Sequence, residues 1–129
     1  MQRAAKIILV DDNDHHLLLY RSNHPLLGDD ADIPGGVVED GETAEIAVIR
    51  ELYEETGLRI DTVEQVYSGL EYSKHGVHKT LFRAHVNERP KIVINWEHSS
   101  YEWLPKESFL EKAKNANDTY MHMVYEVLK

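Results

Sequence analysis

Residues 36–58 read Gly36-Val37-Val38-Glu39-Asp40-Gly41-Glu42-Thr43-Ala44-Glu45-Ile46-Ala47-Val48-Ile49-Arg50-Glu51-Leu52-Tyr53-Glu54-Glu55-Thr56-Gly57-Leu58. Thr43 to Thr56 contains neither Gly nor Pro, Thr43 can serve as N-cap, and Gly57 can take the left-handed conformation that ends a helix. The spacing predicts a helix over Thr43–Thr56. At 100° per residue Ile46, Ile49 and Tyr53 gather on one side and Ala44, Ala47 and Val48 towards the other, so packing is expected on both faces. Offsets of three and four also bring Glu51, Glu54 and Glu55 within about 100° of one another. Like charges at that spacing repel by a few tenths of a kcal/mol per pair, and the helix dipole disfavours anions in the C-terminal half. A divalent cation such as Mg²⁺ or Mn²⁺, which takes oxygen ligands, would account for the cluster. The plain alternative is a solvated acidic helix face.

Upstream, Ile33-Pro34-Gly35-Gly36-Val37-Val38 joins a proline, which fixes its own φ and cannot donate to a ladder, to paired glycines. Such glycines permit positive φ and close backbone approach to a ligand. Ala4–Val10 and His16–Arg21 are apolar runs separated by Asp11-Asp12-Asn13-Asp14-His15, which reads as a β-hairpin. Ser22–Asp32 has no periodicity and reads as a surface loop. Downstream, Thr62–Tyr72 and Val77–Val86 read as strands joined across Ser73–Gly76, with further strands expected at Lys91–Asn95 and Tyr101–Leu104. Lys106–Ala113 and Asp118–Leu128 have helical spacing. This order predicts an α/β (α+β) domain over residues 1–129, a mixed sheet with helices on its faces.

Composition bounds the function. A chain of 129 residues fits one domain, and folding at this length removes roughly two-thirds of the unfolded chain's surface from water. There is no cysteine, so there is no disulfide, thiolate nucleophile or sulfur-built zinc site, and a cytoplasmic location is expected. The four apolar residues Ile7–Val10 are too few for a secretory leader, and no apolar run approaches the roughly 20 residues that cross a bilayer. No membrane partner is therefore expected. The formal net charge is −9, which opposes docking on polynucleotide phosphates. Seven acids and one arginine lie between Glu39 and Glu55 and carry −6 of that excess. Charge so concentrated suits a small phosphorylated ligand whose cations neutralise it.

The pattern Gly36, five residues, Glu42, seven residues, Arg50-Glu51-Leu52, one residue, Glu54-Glu55, one residue, Gly57-Leu58 resembles the signature of the Nudix hydrolases without a departure. The likeness extends to Pro34-Gly35 and is looser elsewhere. It implies an α/β/α sandwich with a mixed sheet, whose strand–loop–helix cradle holds a diphosphate and its metals. Glu51, Glu54 and Glu55 match the metal-binding glutamates, and Gly35 the residue whose carbonyl is a backbone ligand. Gly36 falls in the substrate-binding turn. Arg50 resembles the arginine that orients a neighbouring glutamate, a fork geometry lysine cannot reproduce, and Glu42 a loop glutamate of structural role. The segment Asn95–Leu104 resembles the stretch in which a loop acid precedes a strand ending in an aromatic, and Glu97 matches that acid as a further metal ligand or base. Glu102 is then a surface strand residue and His98 a solvent-exposed bystander. None of the eight histidines is assigned to metal or catalysis.

The implied reaction is hydrolysis of a nucleoside diphosphate linked to another moiety, with Mg²⁺ or Mn²⁺ as cofactor. A general base adds roughly 10²- to 10⁴-fold if it reaches the water, and Glu54, Glu55 and Glu97 are the candidates. No proline occurs between Gly57 and Pro90, unlike the ADP-ribose hydrolases, and Tyr72 lies too close to the signature for the dinucleoside polyphosphate branch. The short format is nearest the MutT-like branch, which cleaves nucleoside triphosphates, oxidised ones included, to monophosphate and pyrophosphate. Other substrates of the family, such as nucleotide sugars, and a non-catalytic nucleotide-binding domain are the alternatives. Arg21 is a candidate for a terminal phosphate. Asn117 is a candidate for a purine edge, against its reading as an N-cap. Asp32 departs from the family, which often has an aromatic two residues before this proline. The expected partner is a small-molecule nucleotide rather than a polynucleotide, with the chain a monomer or, from family habit, a homodimer.

Overall fold

The structure, a computed structural model, describes residues 2–21, 30–71 and 76–129. Nine residues of central strand β1 (Gln2–Val10) set the architecture. Ala5, Ile7 and Leu9 belong to one apolar cluster and Ile8 to another. Leu17 and Leu19 of β2 (His15–Arg21) likewise share the first, while Leu18 joins the second. Strands apolar on both faces belong to a sheet covered on both sides. Helix α1 (Ala44–Thr56) supplies Ala47, Val48 and Leu52 to the first cluster. Helices α2 (Lys106–Asn115) and α3 (Thr119–Leu128) supply Phe109, Ala113, Tyr120, Met121 and Val124 to the second. The expected sandwich of a mixed sheet between helical layers is present.

The remaining strands are β3 (Ala31–Asp32), β4 (Gly35–Val37), β5 (Glu64–Glu71), β6 (Val77–His85) and β7 (His98–Pro105). Along the main path the order is β3-β2-β1-β6-β5, with β4 on β1 and β7 on β2. β1 and β6 are parallel from Gln2↔Val77 to Val10↔His85, whereas β5 and β6 form an antiparallel hairpin. The hairpin expected at the N-terminus is tied by Asp11, whose Oδ1 accepts from the N–H groups of Asn13 and His15, both at 2.9 Å. Its strands pair at Val10↔His16 and then diverge. β4 takes up β1 through Ala4↔Val37 to Lys6↔Gly35, and β7 runs along β2 from His15↔Pro105 to Arg21↔His98. The Ile7 N–H donates to the Pro34 carbonyl at 2.9 Å, which carries the Pro34-Gly35-Gly36 turn into the wedge between the diverging strands.

The caps of α1 are those expected. Thr43 Oγ1 accepts from Ile46 N–H at 3.1 Å, and Gly57 at φ 77° donates to the Tyr53 carbonyl. Burial differs from the expectation of two packed faces, because Ile46 is 55% and Tyr53 44% exposed. α1 is an outer layer, so the stripe Ala47, Val48, Leu52, Glu55, Thr56 is buried while Ala44 and Ile49 pack against the core in part, and Tyr53 is covered in part by the Arg59 guanidinium 4.0 Å from its ring. Residues 91–95 are not a strand, although Ile92 is buried. Their hydrogen bonding goes to the end of α1 instead, with Val93 N–H donating to the Thr56 carbonyl at 2.9 Å, one of the carbonyls a helix end leaves open. The strand expected at Tyr101–Leu104 is longer, His98–Pro105, and the one expected from Thr62 begins at Glu64. The surface loop and the 73–76 turn lie, apart from residues 30–32 and 76, outside the described residues, as does Tyr72.

Candidate active site

Arg50 is the hub of the α1 carboxylates. Its Nε and Nη2 donate to both oxygens of Glu42 at 2.8 and 2.9 Å, while Nη1 donates to Glu51 Oε1 at 3.0 Å and reaches Glu54 Oε2 at 3.3 Å. Nη2 also donates to the Val37 carbonyl at 3.3 Å, so one planar fork joins the turn, the loop and the helix. These bonds hold the Glu42 carboxyl down to about 2 and raise the Arg50 guanidinium further. Glu42 closes its own loop by accepting from Glu39 N–H at 2.9 Å.

Glu55 turns the other way, inward, and is 2% exposed. Its Oε2 accepts from Gly35 N–H at 2.8 Å. Burial pushes its carboxyl up to about 9, against the lowering effect of the Gly35 bond, and the nearby charge of Asp32 acts in the same direction as burial. A solvated acidic face does not describe this helix. Glu51 is also raised, chiefly by burial, with the charges of Glu54 and Glu97 adding to it. The two glycines serve these glutamates differently. Gly35 has φ 145°, and a Cβ there would lie 2.2 Å from the Ala5 carbonyl oxygen, whereas a Cβ on Gly36 would lie 2.9 Å from the Glu51 carboxylate.

The loop before β7 brings the distant acid in. Asn95 Nδ2 donates to the Glu54 carbonyl at 3.1 Å and Asn95 Oδ1 accepts from Glu97 N–H at 3.0 Å, which pins Glu97 beside the C-terminal turns of α1. One ligand atom each of Glu55, Glu97 and His98 lies within 4.8 Å of the others. His98 is no exposed bystander. It is 4% exposed, because the bulge at Tyr20/Arg21 and the start of β7 direct it inward. There Nε2 lies 3.0 Å from Asp32 Oδ2, and Nδ1 lies 4.0 Å from Glu55 Oε1. Asp32 also takes Lys6 Nζ at 2.5 Å. Burial alone would raise its carboxyl, but Lys6, His98 and Arg21 hold it well below the usual carboxylate range.

Two sequence candidates lie elsewhere. Arg21 is committed to Asp118 at 2.5 Å, with Asp32 at 3.7 Å, an intramolecular pairing that competes with a terminal phosphate. The cap of α3 is Asp118 rather than Asn117, since Asp118 Oδ1 accepts from Tyr120 N–H at 2.9 Å. Asn117 is one position further out and exposed, its own N–H bound to Asp30 at 3.0 Å. Glu102 lies exposed on β7, accepting from the Tyr20 hydroxyl. Sequence reasoning missed Lys6, Asp32 and Asn95. Only Asp32 carried a signal, as the departure before Pro34.

The donor set fits a divalent cation. Carboxylates of Glu51, Glu54, Glu55 and Glu97 supply hard oxygens, and two of them are held partly desolvated with raised carboxyl groups, a state a cation would relieve.

A family model for the NUDIX domain matches residues 1–124. The ADP-ribose pyrophosphatase of Methanocaldococcus jannaschii is 41% identical over 70 residues, which is 53% of this chain and 41% of that protein. The RNA pyrophosphohydrolase of Shewanella baltica is 48% identical over 50 residues, 39% of this chain and 29% of that one. The chain thus spans less than half the length of these relatives. The crystal structure of a MutT protein from Methanosarcina mazei Go1 shares the fold at a TM-score of 0.78 with 23% identity, covering 98% of this chain and 91% of that chain. With the family model running through β1, the Gly35-Gly36 turn, α1 and the helices behind the sheet, this chain belongs to the Nudix family.

Proposed function

We propose that this protein is a divalent-metal-dependent pyrophosphohydrolase that cleaves a nucleoside triphosphate to monophosphate and pyrophosphate. The observation that carries the reading is the placement of Glu51 against Gly36 and of buried Glu55 on the Gly35 N–H, with Glu97 beside Glu55 and Arg50 tying Glu51 and Glu54 to the loop. Glu51, Glu54, Glu55, Glu97 and the Gly35 carbonyl are the residues that would hold Mg²⁺ or Mn²⁺. A divalent cation supplies charge neutralisation along the polyphosphate and a water polarised for attack. The chain's own part is positional. Arg50 fixes the rotamers of Glu51 and Glu54, Asn95 sets the reach of Glu97, and Gly36 leaves room for the Glu51 carboxylate against the backbone. The water's oxygen bonds to a phosphorus of the α–β anhydride and its proton goes to Glu54 or Glu97, both exposed, while the bridging P–O bond breaks and pyrophosphate leaves.

The test is a screen of nucleoside triphosphates, ADP-ribose, nucleotide sugars, dinucleoside polyphosphates and a 5′-triphosphorylated oligoribonucleotide with Mg²⁺ or Mn²⁺, reading phosphate, pyrophosphate and monophosphate. Pyrophosphate from a nucleoside triphosphate is expected, and Glu54→Gln is expected to lower kcat by roughly 10²-fold or more and to weaken Mg²⁺ binding. Turnover of another class alone would reassign the substrate. Metal binding without turnover of any class would make the protein a nucleotide-binding domain.

A further inference from the structure

Among the described residues, His98 Nδ1 is a buried side-chain nitrogen with no hydrogen-bond partner. A buried polar atom left unpaired is costly and calls for an explanation. The ring around it is not loosely placed. Nε2 faces the Asp32 carboxylate at 3.0 Å, and that carboxylate is itself anchored by Lys6 at 2.5 Å. An ionised Asp32 can only accept, so Nε2 is the donor in that contact, and in the neutral ring the in-plane lone pair is on Nδ1. The lone pair sits on the side of Glu55 Oε1, 4.0 Å away, within the group that also includes Glu97. Glu55 Oε2 accepts from Gly35 N–H, and Oε1, which accepts no hydrogen bond among the described residues, is the oxygen turned towards the ring. A carboxylate holding one imidazole nitrogen while the other is presented, bare and desolvated, beside two carboxylates is the arrangement by which proteins orient a metal-ligating histidine.

We infer that His98 Nδ1 is a direct nitrogen ligand to a divalent cation shared with Glu55 and Glu97, with Asp32 and Lys6 as the residues that orient it. This deepens the metal-dependent reading above and rests on it. Its consequence is selectivity: Mg²⁺ and Mn²⁺ both take carboxylate oxygens, while imidazole suits Ni²⁺ and Zn²⁺ better. The site should therefore favour Ni²⁺ or Zn²⁺ over Mg²⁺ more strongly than its carboxylates alone would.

The full chain, stripped of metal and loaded with one equivalent of Mn²⁺, is examined by electron spin-echo envelope modulation. A ¹⁴N imidazole coupling is expected in the wild type and should vanish in His98→Gln, whose amide can still donate to Asp32. Competition binding should show Ni²⁺ affinity falling roughly ten- to a hundredfold in that variant, with Mg²⁺ affinity changed much less. Unfolding of both proteins in EDTA checks that the variant is folded, and if it is not, the wild-type spectrum decides alone. Bound Mn²⁺ without the nitrogen coupling, or a coupling that survives His98→Gln, overturns the assignment while leaving the carboxylate site standing. Absence of Mn²⁺ binding in the wild type overturns both it and the metal-dependent reading.

Discussion

At the scale of single residues, the site divides its glutamates by environment. Glu51 and Glu54 share the Arg50 fork on the open side of α1, and Glu55, next in sequence to Glu54, is buried against the turn. The difference has a consequence for pH. A carboxyl raised from 4.5 to about 9 keeps its proton in the folded, metal-free chain at pH values where the unfolded chain has lost it. Its contribution to stability is then complete below about 4.5 and declines as pH rises through about 9. In EDTA, the Tm of the wild type should fall between pH 5 and 9 more steeply than that of Glu55→Gln, which keeps an acceptor for Gly35 N–H and has nothing to ionise. Saturating Mn²⁺ at pH 8 should recover the wild type and leave the variant nearly unchanged, because the cation takes the place of the proton. Parallel slopes for the two proteins in EDTA would refute the assignment of that pH dependence to Glu55.

At the scale of elements, the strand–turn–helix unit works because backbone and side chains approach where no Cβ intervenes. Gly36→Ala would place a methyl 2.9 Å from the Glu51 carboxylate, the far end of a flexible side chain that can swing away. The fold should survive with a modest change in Tm, and metal affinity should drop by about tenfold or more as Glu51 leaves its place. Gly35→Ala meets backbone instead, and at φ 145° it adds conformational strain to a clash with the Ala5 carbonyl. It should cost more than about 3 kcal/mol and lower Tm by roughly 10 °C or more. Thermal unfolding together with metal titration on the two variants separates close approach from backbone conformation. Equal losses of stability would refute that division. The same unit was the most readable part of the chain. Its caps and carboxylates lie within one helix at offsets of three and four, where local geometry decides which side chains are neighbours. Residues 91–95 depart from the expected strand for the opposite reason. Ile92-Val93-Ile94 has the composition of a strand, but the Thr56 carbonyl at the end of α1 takes the N–H of Val93, and nothing in a local pattern announces such a partner.

At the scale of the whole molecule, the central sheet separates two apolar layers, and a short polar seam crosses it from Lys6 through Asp32 and His98 to Glu55. The layers should respond independently. Met121→Ala removes a fully buried side chain behind the sheet and should cost roughly 2–5 kcal/mol, lowering Tm by about 10 °C or more. Mn²⁺ affinity measured well below the transition should stay within about twofold of the wild type; a large loss of affinity would mean that the layers are coupled. The amino-acid sequence by itself determined the family, the helix that carries the glutamates, the glycine turn before it and the charge that gathers there, because all of these are written in residues close along the chain. The partners of His98 were decided by the tertiary structure alone. Asp32 is 66 residues from it and Lys6 a further 26 from Asp32. They meet because β1 and β2 diverge, which admits β3 and β4 into the wedge and lets β7 lie along β2. Pairing and register of that kind depend on the sum of many weak long-range contacts, which no short stretch of sequence contains.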